Sequence, residues 1–180
     1  MDQILWDIAG TDGLIVVQSL LGKSVGYLAP FQSLETVLAG KPCSVLRLCD
    51  RNFRIRYAGD MTQHISPLKS SVSVRQYEWL KAFSISSEQL QSLTKRATVR
   101  LPHRLVGLPN HQAVPAQLDT ISMVIWRHTS LESRSQRVYE RGRESSSEKD
   151  SEKASSEKRS VDIHTSWTDV ERLKEKINNL

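Results

Sequence analysis

Hydrophobic residues recur in short patterned runs up to Trp126 and then almost stop. Between positions 132 and 160 the apolar residues are Val138, Tyr139 and Ala154, and most of the others are Ser, Glu, Lys or Arg. A segment of this composition buries too little surface to offset the entropy lost on ordering it. We therefore predict a globular domain over residues 1–131, a disordered charged linker over 132–163, and a short amphipathic helix within 164–180.

The clearest local pattern is a β-hairpin. Residues 44–48 and 53–57 read as two strands on either side of a polar turn. If Leu48 faces Phe53, alternation of side chains places the apolar residues on one face of the hairpin. The same register places Arg47, Arg54 and Arg56 together on the opposite face, which predicts a basic sheet surface.

The remaining pattern mixes strands with separate helices. Helices are predicted near residues 4–8, from Pro30 to position 38, around 77–83, and from Ser86 to position 96, while 14–17 is either a buried strand or a helix. Strands are predicted at 72–74, 98–101 and 121–126, and an irregular loop runs up to Pro115. The nearly continuous apolar run at 121–126 is typical of a central strand. This mixture predicts an α+β domain.

Apolar periodicity returns at the C-terminal end. Val170, Leu173 and Ile177 share one face of a helix that follows Trp167. A helix this short is marginal alone, so it needs a surface to pack on. We expect it to bind a partner protein or a second copy of the chain, and folding back on its own domain is the alternative.

The charge balance favours anionic partners. Lys and Arg number 25 against 20 Asp and Glu, for a formal net charge of +5. A basic excess on a folded domain suits nucleic acid or an acidic membrane surface, although +5 is also compatible with ordinary solubility. Guanidinium groups bind phosphate oxygens well, so the expected contacts to RNA or another polyanion are Arg47, Arg51, Arg54, Arg56, Arg100 and Arg104.

Motifs for catalysis, metals or cofactors are weak. Cys43, Cys49 and the five histidines lack the close paired spacing of a structural zinc site, so no metal and no cofactor are expected. The Gly-Lys-Ser sequence at 22–24 lacks the preceding glycine of a P-loop. Because functional residues concentrate in loops, the loop histidines His103 and His111 are the candidates for an alternative function as a small hydrolase or nuclease.

The leading hypothesis is a non-enzymatic binding protein that contacts an anionic partner through the basic sheet face. A compact basic domain with a Ser-rich tail is similar in layout to small viral accessory or matrix-type proteins. Acidic residues follow Ser145 and Ser147, which predicts phosphorylation of the tail. No signal peptide is visible, and no apolar run approaches the ~20 residues needed to cross a bilayer. We therefore expect an intracellular, non-secreted protein without transmembrane insertion.

Overall fold

The computed structural model describes residues 4–68, 71–77, 80–99, 104–129, 159–166 and 168–179. The first part of the chain forms β1 (Ile4–Gly10), α1 (Gly13–Leu21), β2 (Ser33–Leu38), β3 (Lys41–Cys49), β4 (Asn52–Tyr57), α2 (Thr62–Ile65) and β5 (Val72–Gln76). The second part forms β6 (Leu80–Ile85), α3 (Ser87–Arg96), β7 (Thr98–Val99), β8 (Gln112–Leu118), β9 (Ile121–Thr129), β10 (Arg159–Ser166) and α4 (Val170–Asn178). The predicted α+β class is confirmed.

The strands form two antiparallel sheets that pack face to face. The first sheet has the order β2-β3-β4-β1-β5, and the second has the order β6-β10-β9-β8-β7, so β9 is central as predicted. Helices α1 and α2 cover the outer face of the first sheet around one hydrophobic core, and α3 and α4 cover the second sheet around another. A third, smaller core of Leu46, Ala113 and Trp126 lies between the sheets.

Each half of the chain contains one βαβββα unit. In the first unit β1 pairs with β4, and β2, β3 and β4 form a meander. In the second unit β6 pairs with β10, and β8, β9 and β10 form the same meander. Strands β5 and β7 are additions at the sheet edges. The fold is therefore an internal duplication in which the two sheets pack face to face.

Local geometry repeats between the two units. Phe31 and His111 both adopt the left-handed conformation, with φ of 63° and 62°. Their N–H groups donate to the carbonyl oxygens of Arg47 and Arg127, at 2.6 and 2.8 Å. The guanidinium Nη1 of each arginine donates to a carbonyl oxygen 19 residues earlier in the chain, at 2.6 Å in both units. These matching details identify the equivalent positions of the two units.

The two units meet along a pseudo-twofold axis. Gln32 and Gln112 are equivalent positions, and they form an antiparallel bridge with each other that joins the sheets at one corner. Leu46 and Trp126 are likewise equivalent, and both are fully buried in the core between the sheets. The indole Nε1 of Trp126 donates to Ser33 Oγ at 2.9 Å. The central core is therefore built from matching positions of both units.

Three predicted helices are strands. Residues 4–8, the segment after Pro30, and residues 80–83 belong to β1, β2 and β6. In β1 four successive residues from Leu5 to Ile8 are buried, because one face lies under helices and the other faces the second sheet. A strand buried on both faces loses the simple alternation that distinguishes it from a buried helix.

The predicted hairpin is present, but its register differs by one residue. Leu46 lies opposite Arg54, and Arg47 lies opposite Phe53, with an irregularity between Arg47 and Cys49. A shift of one residue moves side chains to the other face of a strand. Arg54 and Arg56 therefore face the second sheet, whereas Arg47 lies on the side of Phe53. The predicted surface of three arginines does not form.

The C-terminal region also differs from the prediction. Residues 159–163, assigned to the linker, form most of β10, while 132–158 lie outside the described residues, as do Ser145 and Ser147. In β10 Val161 and Ile163 alternate with buried polar residues, so the strand lacks a solvated face. The predicted terminal helix is present as α4. Val170, Leu173 and Ile177 are buried in α4, as the fold-back alternative requires.

Trp167 lies outside the described residues, and binding of a partner by the terminal segment stays a prediction. Within the described ranges, no helix is both long enough and apolar enough to cross a membrane.

Replacing Ile163 by Ala tests whether β10 belongs to the folded domain. Ile163 is fully buried in the core under α3 and α4, so its loss should lower the free energy of unfolding by about 2–5 kcal/mol. Urea denaturation of the full chain measures this change. Gln91→Ala, at an exposed position of α3, should change stability by less than about 0.5 kcal/mol. Equal stability of the two variants would place β10 outside the cooperative unit.

Candidate functional site

The inner faces of the two sheets carry polar side chains on β4 of the first sheet and β10 of the second sheet. Arg54 and Arg56 are two residues apart on β4, and Asp162 and His164 are two residues apart on β10. Alternation in each strand directs both pairs into the space between the sheets. This polar region continues from the central core that contains Trp126.

Arg56 and Asp162 form an ion pair that connects the sheets. Arg56 Nη1 lies 2.5 Å from Asp162 Oδ2, and the two side chains are 19% and 4% exposed. His128 Nε2 lies 2.9 Å from the same oxygen, and Ser84 Oγ donates to Oδ1 at 2.6 Å. Burial alone would raise the pKa of Asp162, but the His128 hydrogen bond and the Arg56 charge lower the pKa well below its usual range. The carboxylate is therefore ionised and fully engaged.

A second ion pair lies within the first sheet. Arg54 Nε donates to Asp7 Oδ1 at 3.0 Å, on the adjacent strand β1. The Arg54 guanidinium carbon lies 5.4 Å from the centre of the Tyr77 ring. Burial raises the pKa of Asp7 despite the attraction of Arg54. Arg54 is thus held in one orientation by a carboxylate and an aromatic face.

His164 is the most unusual polar residue of this region. It is 1% exposed, and neither ring nitrogen has a hydrogen-bond partner in the part of the chain that the structure describes. Its ring packs edge to face on Trp126, with centroids 5.4 Å apart. Burial lowers the pKa of His164 to about 3, and the Arg54 charge acts in the same direction. At neutral pH the ring is uncharged and offers one donor and one acceptor.

A cleft of about 690 Å³ opens at His164 and Arg54. Its floor is the part of the second sheet's inner face that the first sheet leaves uncovered, including Gln117 on β8 and Ser122 on β9. Small-molecule sites usually have volumes of about 300–1,000 Å³. An unpaired buried polar group costs about 1–3 kcal/mol, so its presence calls for an explanation.

The predicted polyanion-binding residues are dispersed. Arg47 donates to the Leu28 carbonyl and pairs with Asp50 at the end of the hairpin. Arg51 and Arg104 are exposed in separate loops, and Arg100 lies outside the described residues. Among the described members of the set, only Arg54 and Arg56 come together, and they do so in the interior. Polyanion binding by the exposed members stays a prediction.

Of the two loop histidines, His111 does not line the cleft. His111 occupies the left-handed corner between the sheets, where its carbonyl accepts from the Ser33 N–H at 2.7 Å. His103 lies outside the described residues. Cys43 is a free, buried thiol whose pKa is raised to about 12 by burial, and Cys49 is free and exposed. Within the described ranges, no three His, Cys, Asp or Glu side chains are grouped as metal ligands.

Sequence reasoning missed Asp7, His128, Asp162 and His164. The available signal was the alternation of Val161, Ile163 and Thr165 with Asp162 and His164. That pattern predicts a strand with an unusually polar face. It does not show that this face is buried, because the covering residues come from the distant strands β4 and β9.

The fold is similar to that of an enzyme of known structure. The glycine cleavage system aminomethyltransferase T from Bartonella henselae superposes with a TM-score of 0.63 at 15% sequence identity. The match covers 97% of this chain, but the chain spans only 43% of the length of that enzyme. No family model matches the sequence, and no curated protein matches it either.

This likeness corrects the leading hypothesis from the sequence. The expected protein was a non-enzymatic binder with a basic sheet face, whereas the chain has the fold of part of an aminomethyltransferase. The basic face is also missing, because Arg54 and Arg56 pair with Asp7 and Asp162 between the sheets. For the alternative that used the loop histidines, His111 lies at a structural corner and does not line the cleft, and His103 lies outside the described residues.

Replacing Arg56 by Met tests the ion pair between the sheets. The variant leaves the Asp162 carboxylate buried without its cation, so the free energy of unfolding should fall by about 3–5 kcal/mol. The double variant Arg56→Met/Asp162→Leu should recover most of that loss. Lys174→Met, which removes the exposed pair with Glu171, should cost less than about 1 kcal/mol. Urea denaturation at pH 7 compares them, and an equally small loss for Arg56→Met would show that the pair is not desolvated.

Replacing His164 by Leu tests the buried neutral imidazole. The unfolded state binds a proton below pH 6.5 that folded His164 does not bind until about pH 3. The free energy of unfolding of the wild type should therefore decrease as the pH is lowered through this window. His164 contributes up to about 1.4 kcal/mol per pH unit to this decrease. His164→Leu should lose that contribution and gain about 1–3 kcal/mol at pH 7.

Urea denaturation at pH 7 and pH 5 measures both effects. Gln91→Ala, which removes no titratable group, should keep the wild-type slope between the two pH values. An unaltered slope in His164→Leu would mean that the imidazole is not held neutral in the folded state.

Proposed function

We propose that this chain is an enzyme, or part of one, that transfers a small organic group, with the cleft at His164 and Arg54 as its substrate site. The observation that carries the proposal is a fully buried histidine with two unbonded ring nitrogens at a cleft of about 690 Å³. The similarity to an aminomethyltransferase supports a transferase fold. Aminomethyl transfer is the reaction class that we extend to this chain.

The proposed role of His164 is to orient and polarise the substrate. With its pKa near 3 the ring is a poor general base at neutral pH. A neutral imidazole in a buried site is instead a strong hydrogen-bond donor to an oxygen that gains negative charge. The surroundings are desolvated, so this hydrogen bond and the Arg54 charge act with little screening. Asp7 and Tyr77 keep the Arg54 side chain in place for this role.

Ligand contact with His164 can be observed directly. Long-range ¹H–¹⁵N NMR spectra of histidine rings report the ring nitrogens of the full chain while small carboxylates, amides, amines and aminomethyl donors are added at millimolar concentration. We expect at least one compound to shift the His164 signals and leave His64 unchanged. His164→Leu should weaken binding of that compound about tenfold or more, and His64→Leu should not. If no compound shifts the His164 signals, the cleft is not a substrate site and the proposal fails.

A further inference from the structure

We infer that the cleft recognises its ligand through a carboxyl group, which bonds to His164 in the position that the Glu35 carboxyl group occupies in the first unit. The inference rests on the proposed function, because it names the substrate class of the same site. Its basis is the internal duplication, which produces two equivalent half-sites that differ in one respect.

The pairing registers define the equivalent residues. Arg56 lies opposite Ser44 in the first sheet, and His164 lies opposite Val124 in the second. Since β3 and β9 are equivalent strands, Arg56 and His164 occupy equivalent positions on β4 and β10. The position two residues earlier on each strand can be matched by the same comparison of registers.

Arg54 lies opposite Leu46, and Asp162 lies opposite Trp126, the matched pair of the central core. Arg54 and Asp162 are therefore equivalent too. The contact of Arg56 with Asp162 consequently has a counterpart across the pseudo-twofold axis. That counterpart is Arg54 beside His164, and both residues line the cleft.

The first half-site contains its own carboxyl group. Glu35 on β2 lies opposite Ser44, accepts a short hydrogen bond from Ser44 Oγ, and interacts electrostatically with Arg56 and His128. Burial raises the pKa of Glu35. The carboxyl group of Glu35 thus fills the inner-face position beside Arg56.

The second half-site lacks that group. Pro115 on β8 lies opposite Val124, so these two residues occupy the positions of Glu35 and Ser44. Neither side chain has an oxygen atom, and the cleft opens at this point, with Pro115, Val124 and His164 among its lining residues. The two half-sites therefore differ in a carboxyl group that the first unit supplies and the second does not.

A ligand carboxyl group would complement His164 and Arg54, the polar residues of the second half-site. His164 can donate one hydrogen bond, and Arg54 provides the nearby positive charge, as Arg56 does for Glu35. Hydrogen bonds between cationic or neutral N–H donors and a carboxylate are among the stronger ones in proteins. A neutral amide of equal shape would keep the hydrogen bond to His164 but lose the interaction with Arg54.

The test compares propionate with propionamide, which have nearly the same shape, as ligands of the full chain. The His164 ring signals in NMR titrations give both dissociation constants. We expect propionate to bind at least about tenfold more tightly than propionamide. Tighter or equal binding of propionamide overturns the inference but leaves the proposed substrate site intact. If neither compound shifts the His164 signals, and no amine or aminomethyl donor does so either, the proposed function is overturned as well.

A grafted carboxyl group gives an independent test. Pro115→Glu/Val124→Ser copies the first half-site into the second, and Pro115→Gln/Val124→Ser is its neutral control. In the first variant the His164 signals without ligand should resemble those of wild type with propionate, and propionate binding should fall about tenfold or more relative to the control. Equal propionate binding in the two folded variants would overturn the inference. If the graft does not fold, the wild-type comparison of propionate and propionamide decides.

Discussion

The buried ion pair between Arg56 and Asp162 determines how the two sheets meet. Each residue comes from a different unit, and Asp162 also contacts His128 and accepts from Ser84 within its own sheet. Separating the sheets would break this ion pair in a desolvated space, which is more costly than losing an apolar contact of similar area. Because side chains alternate along strands, fixing these two residues also fixes Arg54 and His164 two positions away. The site and the relative placement of the sheets are thus set by the same contact.

The duplication explains why the interior combines apolar and polar regions. Near the axis the equivalent residues Leu46 and Trp126 form an apolar centre, and each outer face is sealed by helices of its own unit. The polar residues lie away from the axis, where a residue of one unit contacts a residue of the other unit that is not its equivalent. Two copies of one unit could have diverged there without disturbing the centre. Glu35 in one copy and Pro115 in the other mark that divergence, and it coincides with the cleft.

The correctly predicted elements have a clear local signal, which is a cap, an apolar stripe or a continuous apolar run. Helix α3 begins where expected, with a capping box in which Ser86 Oγ accepts from the Gln89 N–H, and α4 and β9 follow their apolar patterns. Strands β1, β2 and β6 were wrongly predicted as helices, and in β1 the burial of both faces removes the alternation that marks a strand. The hairpin register was wrong because the irregularity after Arg47 adds a residue to β3 that no local pattern announces. The site itself depends on β10 pairing with β9 across residues 130–158, which no short-range signal specifies.

The requirements of folding stability do not explain why residue 164 is a histidine. An apolar residue at this position would pack on Trp126 without leaving ring nitrogens unbonded, so folding alone gives no reason for a histidine there. The surrounding groups also have internal partners: Arg54 has Asp7, and Asp162 has Arg56, His128 and Ser84. His164 is thus the member of the polar region in which both side-chain polar atoms lack a hydrogen-bond partner among the described residues. A residue that weakens the fold in isolation, beside a cleft large enough for a small molecule, is better explained by what it binds than by what it stabilises.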